Sequence, residues 1–161
     1  MTIERGYALI ASLDPLEEGR IYEHPVHLKL LPWFTTEEPP SRLVDVIAMS
    51  IEKISRFEIV GEAEAGLSHN GEHRARVIGE RAFLAGIHHQ LLEDVQVLTP
   101  QFDKPEYIDS NYLPHVTPQV SGVRWIRRGQ VANVNQLHLV SAVANSHNSG
   151  VVTKSLPLRE A

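Results

Sequence analysis

Apolar residues arrive along this chain in short blocks whose spacing alternates between two periods. Residues 7–13 form an apolar run ended by Asp14-Pro15, which predicts a buried strand. A polar stretch, Glu17-Glu18-Gly19-Arg20, leads to a second strand at 26–31 closed by Pro32, and 35–40 read as loop. From Ser41, the expected N-cap after two prolines, Leu43, Ile47, Ile51 and Ile54 recur at helical spacing, so a helix is expected to about Ser55. Residues 57–63 predict a strand, and Ser68-His69-Asn70-Gly71 a turn that joins it to 74–78. Asn-Gly supplies the backbone angles of a tight hairpin. A second helix is expected from Glu80 to about Glu93, with Phe83, Ile87 and Leu91 on its stripe. Residues 99–111 read as loop, and strands are expected at 113–120, 136–143 and 151–155.

This order of elements favours an α+β fold with helices packed against antiparallel sheet. The 161 residues suit a single domain, 1–161. Each half holds one helix and one histidine-bearing strand, so two pseudo-symmetric lobes are expected. Composition changes little, since 42% apolar and 22% charged residues are ordinary for a soluble protein. A formal charge of −5 and a pI near 6.0 argue against coating duplex DNA through a global field. The absence of cysteine removes disulfides, thiolate catalysis and zinc–cysteine or iron–sulfur sites. No apolar run approaches a membrane span and the first residues carry no targeting signal, so a cytoplasmic location with no membrane partner is expected.

Two strands hold the informative side chains. Alternate residues of a strand share a face. In Val26-His27-Leu28-Lys29-Leu30, His27 and Lys29 therefore point one way while the apolar residues point into the core. In Pro114-His115-Val116-Thr117-Pro118, His115 and Thr117 share a face opposite Val116 and Pro118. Two such strands facing each other suit phosphoester cleavage without a metal or other cofactor. One imidazole takes a proton from the attacking oxygen and the other gives one to the leaving oxygen. A hydroxyl or ammonium two residues along bonds the non-bridging oxygens.

Paired H-x-T/S-apolar motifs, one in each half of an α+β chain, resemble the two-histidine (2H) phosphoesterase superfamily, in its bacterial and archaeal RNA 2′,5′-ligase-like and cyclic phosphodiesterase-like branch. The opening strand Tyr7-Ala8-Leu9-Ile10-Ala11 and the phrase His27-Leu28-Lys29-Leu30-Leu31-Pro32-Trp33-Phe34 carry the likeness further, and in element order it spans residues 6–158. The resemblance implies a bilobal fold, with two antiparallel sheets around a central cleft and helices outside. It also implies hydrolysis of 2′,3′-cyclic phosphates, or cleavage or joining of 2′,5′-linked RNA. Some phage members open cyclic oligonucleotide signals. His27, His115 and Thr117 match the motifs, whereas Lys29 stands where the family places Thr or Ser. Either lysine binds the phosphate as a full charge, or the cleft binds RNA ends with little turnover. A cation beside His27 disfavours its imidazolium, which points to His27 as base and His115 as acid.

Arg124, Arg127 and Arg128 flank Trp125 in the one dense basic cluster and are candidate contacts to an RNA end or small nucleotide. Tyr7, Trp33, Phe34 and Tyr112 are candidate stacking platforms. The remaining histidines promise less. His69 and His73 flank the Asn70-Gly71 turn, which reads as a solvated hairpin tip. His24 reads as loop, and His88 and His89 point about 100° apart on a helix, too far to chelate together. His138 alternates with Leu137 and Leu139 and faces either cleft or solvent.

Overall fold

The opening apolar run becomes β1 (Gly6–Ser12) in the computed structural model, which describes residues 6–23, 26–67, 73–116, 126–143 and 149–160. The other described strands are β2 (Ile21–Glu23), β3 (His27–Thr35), β4 (Phe57–Leu67), β5 (His73–Ile78), β6 (Gln101–Phe102), β7 (His115–Val116), β8 (Val131–Val134), β9 (Gln136–Ala142) and β10 (Ser149–Pro157). Two helices, α1 (Pro40–Ile51) and α2 (Arg81–Asp94), complete the expected α+β class. The strands pair antiparallel along one path, β2-β10-β9-β1-β3-β7-β5-β4-β8, with β6 also on β3.

Strand periodicity sorts the side chains into two faces. Tyr7, Leu9 and Ala11 of β1 join Leu28, Leu30 and Phe34 of β3 and Leu137 and Leu139 of β9 in the main core. Leu43, Ile47 and Ile51 of α1 and Leu84, Ile87 and Leu91 of α2 close over that face. Each such burial is worth roughly 1.5–3 kcal/mol before entropy. Ala8 and Ile10 turn the other way, into a small cluster with Val140 and Val152. Helices therefore cover one face, and the opposite face is left for a site.

β3 bends where it matters. Ile10 pairs with Lys29 but Leu9 pairs with Leu31, so Leu30 is an extra residue in β3. Such a bulge turns neighbouring side chains to one side, and both Leu30 and Leu31 are fully buried. A second register step follows before Phe34 meets Tyr7.

Several boundaries differ from the sequence expectation. α1 begins at Pro40 with Pro39 as N-cap and no side-chain cap, so Ser41 lies inside the first turn. Proline's fixed φ and missing N–H suit that position. The buried stripe of α2 is Leu84, Ile87, His88 and Leu91, while Phe83 is 48% exposed and stands edge-on to Phe57. β2 and β8 were not expected, because three or four residues carry too short a pattern to show a period. The loop at 99–111 contains β6 and two 3-10 turns, Pro105–Tyr107 and Asp109–Asn111. Of the strand expected at 113–120, β7 accounts for two residues; 117–120, like the Ser68–Gly71 turn, lies outside the described residues. Among the described residues no helix is long and apolar enough to cross a membrane.

Gly61 of β4 sits against the turn that follows Ile126. Its N–H donates to the Gln130 carbonyl and its carbonyl accepts from the Gly129 N–H, and a Cβ there would lie 2.3 Å from the Arg127 carbonyl oxygen. Backbone cannot yield as a flexible side chain does. Gly61→Ala is therefore expected to destabilise the protein by about 1–3 kcal/mol, read as a lower urea midpoint at unchanged m. An unchanged midpoint would show that the turn moves away without loss.

Candidate active site

The geometry follows from register. Leu28 of β3 pairs with Val116 of β7, both fully buried in the core. Directly opposed residues of an antiparallel pair share a face, so Lys29 stands across from His115 on the face opposite the helices. His27 lies on that same face, two residues along β3, and is diagonal to His115. Diagonal neighbours on adjacent strands sit about 7–8 Å apart, a span that one phosphate can bridge with a hydrogen bond at each end. The row continues outward on both sides: Lys29 pairs with Ile10, Ile10 with His138 and His138 with Ser155, while His115 pairs with Val77. Ser12 pairs with His27. His27, Lys29 and His115 are all half-buried.

His115 is fixed in one tautomer. Its Nδ1 lies 2.7 Å from the Leu113 carbonyl, which can only accept, so Nδ1 carries the hydrogen. Nε2 is therefore the basic nitrogen of the neutral ring and the second donor of the charged one.

Lys29 is the electrostatic anomaly of this face. Its Nζ lies 5.8 Å from the centre of the Trp33 ring, so the stem leans along β3 away from His27. Burial, first of all, lowers its pKa from the ordinary lysine value; nearby Lys104 adds to this and Asp103 opposes it. Among the described residues no carboxylate forms an ion pair with it. A desolvated ammonium without a paired anion is costly unless an anion arrives.

The backbone beneath is held by Tyr112, expected as a stacking platform, and by His88, which the sequence does not mark for the site. Tyr112 donates its hydroxyl to the Lys29 carbonyl at 2.8 Å, and His88 Nδ1 donates to the Leu30 carbonyl at 2.7 Å. Their rings stack at 4.0 Å and 8°. His88 is fully buried and its helical phase marks it as core, a signal overshadowed by its polar identity. Tyr112 is thereby a structural residue rather than a stacking platform.

The other expected residues separate. Tyr7 is 4% exposed on the core face and packs on Phe34, which is fully buried; neither reaches the site face. The reason is phase: Tyr7 alternates with Leu9 and Ala11, not with Ile10. Trp33 does lie on the site face, half-buried beside Lys29. Arg127 and Arg128 are exposed in the turn closed by Gln130 N–H to the Arg127 carbonyl, next to Gly61. Gly61 pairs with Ile78, one residue from the partner of His115, and the turn lies on the far side of Gly61, where β8 pairs, so along the sheet it stands about three strand spacings, roughly 14 Å, from His115. Thr117 and Arg124 lie outside the described residues. His138, left open between cleft and solvent, is 2% exposed with Nδ1 2.8 Å from Ser155 Oγ. Burial lowers its pKa, with Glu18 opposing. Among the described residues no group of three or more His, Asp or Glu side chains is arranged to hold a metal ion.

No protein-family model matches the sequence, and no curated protein sequence matches it closely. Solved structures do. A phosphoesterase crystal structure superposes with a TM-score of 0.61 at 14% identity, covering 98% of this chain and all of that one. TT0787 of Thermus thermophilus gives 0.62 at 16%, covering 98% and 99%. E. coli LigT complexed with 3′-AMP gives 0.58 at 14%, covering 98% and 100%. LigT complexed with NADP+ is similar, with a TM-score of 0.59 at 14% and coverage of 99% and 100%. End-to-end coverage in both directions, together with the antiparallel sheet and its two helices, shows that this chain has the fold of these solved structures, a phosphoesterase, TT0787 and LigT among them.

Proposed function

We propose that this protein is a phosphoesterase that cleaves 2′,3′-cyclic phosphate or 2′,5′-linked phosphodiesters of RNA ends or small nucleotides by proton exchange between His27 and His115. The observation that carries the reading is the Leu28–Val116 register, which brings His27, Lys29 and His115 to one face within reach of a single phosphate. One imidazole removes the proton from water as its oxygen attacks phosphorus. The other protonates the leaving ribose oxygen as the P–O bond breaks. Lys29 and Thr117 hold the non-bridging oxygens, where charge accumulates. Trp33 offers a ring to the base, and Arg124, Arg127 and Arg128 reach the flanking phosphate or sugar. LigT was crystallised with 3′-AMP and with NADP+, which supports a nucleotide as the substrate class. The position of Lys29 bears on the division of labour. Its ammonium leans toward Trp33, so the charge is not directed at His27, and the base and acid roles are better assigned by pH profiles of single variants.

A second reading has one observation in its favour, the lysine that replaces the motif hydroxyl. In it the cleft binds an RNA end and does not turn it over. The deciding experiment is hydrolysis of a 2′,3′-cyclic nucleotide and a 2′,5′-linked oligoadenylate in EDTA, with the His27→Ala/His115→Ala double variant alongside. Turnover that survives chelation and vanishes in the double variant is the expected result. Tight binding of a cyclic-phosphate end with no product would establish the binding module instead.

A further inference from the structure

Lys29 and His115 stand on different strands, and among the described residues a single pairing, Leu28 with Val116, joins β3 to β7. Their separation therefore depends on how the two segments are held to one another. Further along the same edge, β3 is met by β6 at Phe34 and Thr35. Side chains fill the interval between. Tyr112 and His88 take the carbonyls of Lys29 and Leu30, consecutive residues at the β3 bulge.

The same pair also grips the segment that delivers His115. Because His88 Nδ1–H donates to Leu30, its Nε2 is an acceptor, and it receives the Asp109 N–H at 3.0 Å. Asp109 has φ of +60°, a left-handed conformation that a non-glycine residue adopts at some cost. His89 Nε2 lies 3.1 Å from Asp109 Oδ1 and holds that residue from a second side. Three residues later Tyr112 stacks on His88, and the next carbonyl, that of Leu113, receives His115 Nδ1–H. Contacts therefore run without a break from α2 to the Lys29 backbone on one side and to the His115 ring on the other. An apolar pair would fill this space without needing partners. Two polar rings whose described hydrogen bonds all go to these two segments serve to hold them.

We propose that His88 and Tyr112 are positioning residues, a clamp that keeps the His115 segment in register with Lys29 across the β3–β7 seam. The clamp works with neutral His88, since imidazolium has no acceptor for the Asp109 N–H. Burial favours the neutral ring, helped by His89 and opposed by the Leu30 carbonyl and Asp109. Its importance for turnover rests on the phosphoesterase reading; its effect on the seam does not.

Tyr112→Phe keeps the stacked ring and removes one hydroxyl, and exposed Tyr107 supplies a matched control as Tyr107→Phe. In amide hydrogen exchange, residues 27–29 and 115–116 are expected to exchange at least about fivefold faster in Tyr112→Phe, with β9 unchanged and Tyr107→Phe unaltered. With a substrate the wild type turns over, Tyr112→Phe is expected to lower kcat about tenfold with KM within about twofold. Unchanged exchange at the seam overturns the clamp. Faster exchange with unchanged kcat overturns its role in positioning. A wild type that cleaves no phosphodiester sinks the phosphoesterase reading alone, and seam exchange still decides for or against the clamp.

Discussion

Replacing His115 with alanine is expected to slow cleavage of a cyclic phosphodiester by about two to four orders of magnitude, the range of one general acid or base. His27→Ala is expected to cost about as much. The double variant is expected to fall little further, because two groups that act in one proton exchange do not contribute additively. His115→Asn separates chemistry from structure. An amide nitrogen can still donate to the Leu113 carbonyl, as Nδ1 does at 2.7 Å, but nothing stands where Nε2 was. His115→Asn is therefore expected to melt close to wild type and to be as slow as His115→Ala. The pH profile assigns the roles. Wild type is expected to be bell-shaped, and each single variant to lose one limb: loss of the acidic limb marks the base and loss of the alkaline limb the acid. If His27→Ala retained wild-type turnover, the two-histidine exchange would fail and His115 would have to act alone.

The parts of the fold that could be read in advance are those where one period persists for a turn or more. β1 is a continuous apolar run buried through its centre, α1 recurs at helical spacing, and β3 alternates from His27 to Leu30. The same alternation placed His27 and Lys29 on one face, and the β3–β1 pairs of His27 with Ser12 and Lys29 with Ile10 keep to it. What could not be read has specific causes. Leu30 and Leu31 both enter the core because of a bulge, and a bulge depends on the partner strand's register, which no local pattern contains. Tyr7 and Phe34 are aromatic, so composition offered them as platforms, while only pairing across β1 and β3 shows that both face the helices. For His88 the spacing says only that it and His89 point too far apart on a helix to chelate together. Its actual partners, the Leu30 carbonyl and the Asp109 N–H, are 58 and 21 residues away. Long-range backbone partners of this kind leave no trace in spacing.

Lys29→Ala is expected to lower kcat/KM by about a hundredfold, the scale of one lost donor to a charge-developing oxygen. Lys29→Thr restores the hydroxyl of the family motif and is expected to recover part of that loss. Equal, near-wild-type rates for both variants would remove Lys29 from the mechanism. The physical case rests on its desolvation. Burial, reinforced by Lys104 and opposed by Asp103, makes its ammonium give up a proton more readily than a free lysine, whose pKa is about 10.4. The sign follows directly. Only the ammonium attracts phosphate, so binding is full below this lowered pKa and is lost as pH rises through it, earlier than for an exposed lysine. Folding without ligand responds in the opposite sense: the unfolded chain holds this proton more tightly, so the group's cost to stability is full at low pH and is relieved as pH rises through the same window. A bound anion also relieves that cost by pairing the charge. Phosphate added at neutral pH is therefore expected to raise the melting temperature of wild type more than that of Lys29→Ala, and the difference is expected to shrink toward alkaline pH. An equal rise in both proteins at every pH would mean that the anion binds elsewhere and that Lys29 is a structural replacement for the motif hydroxyl.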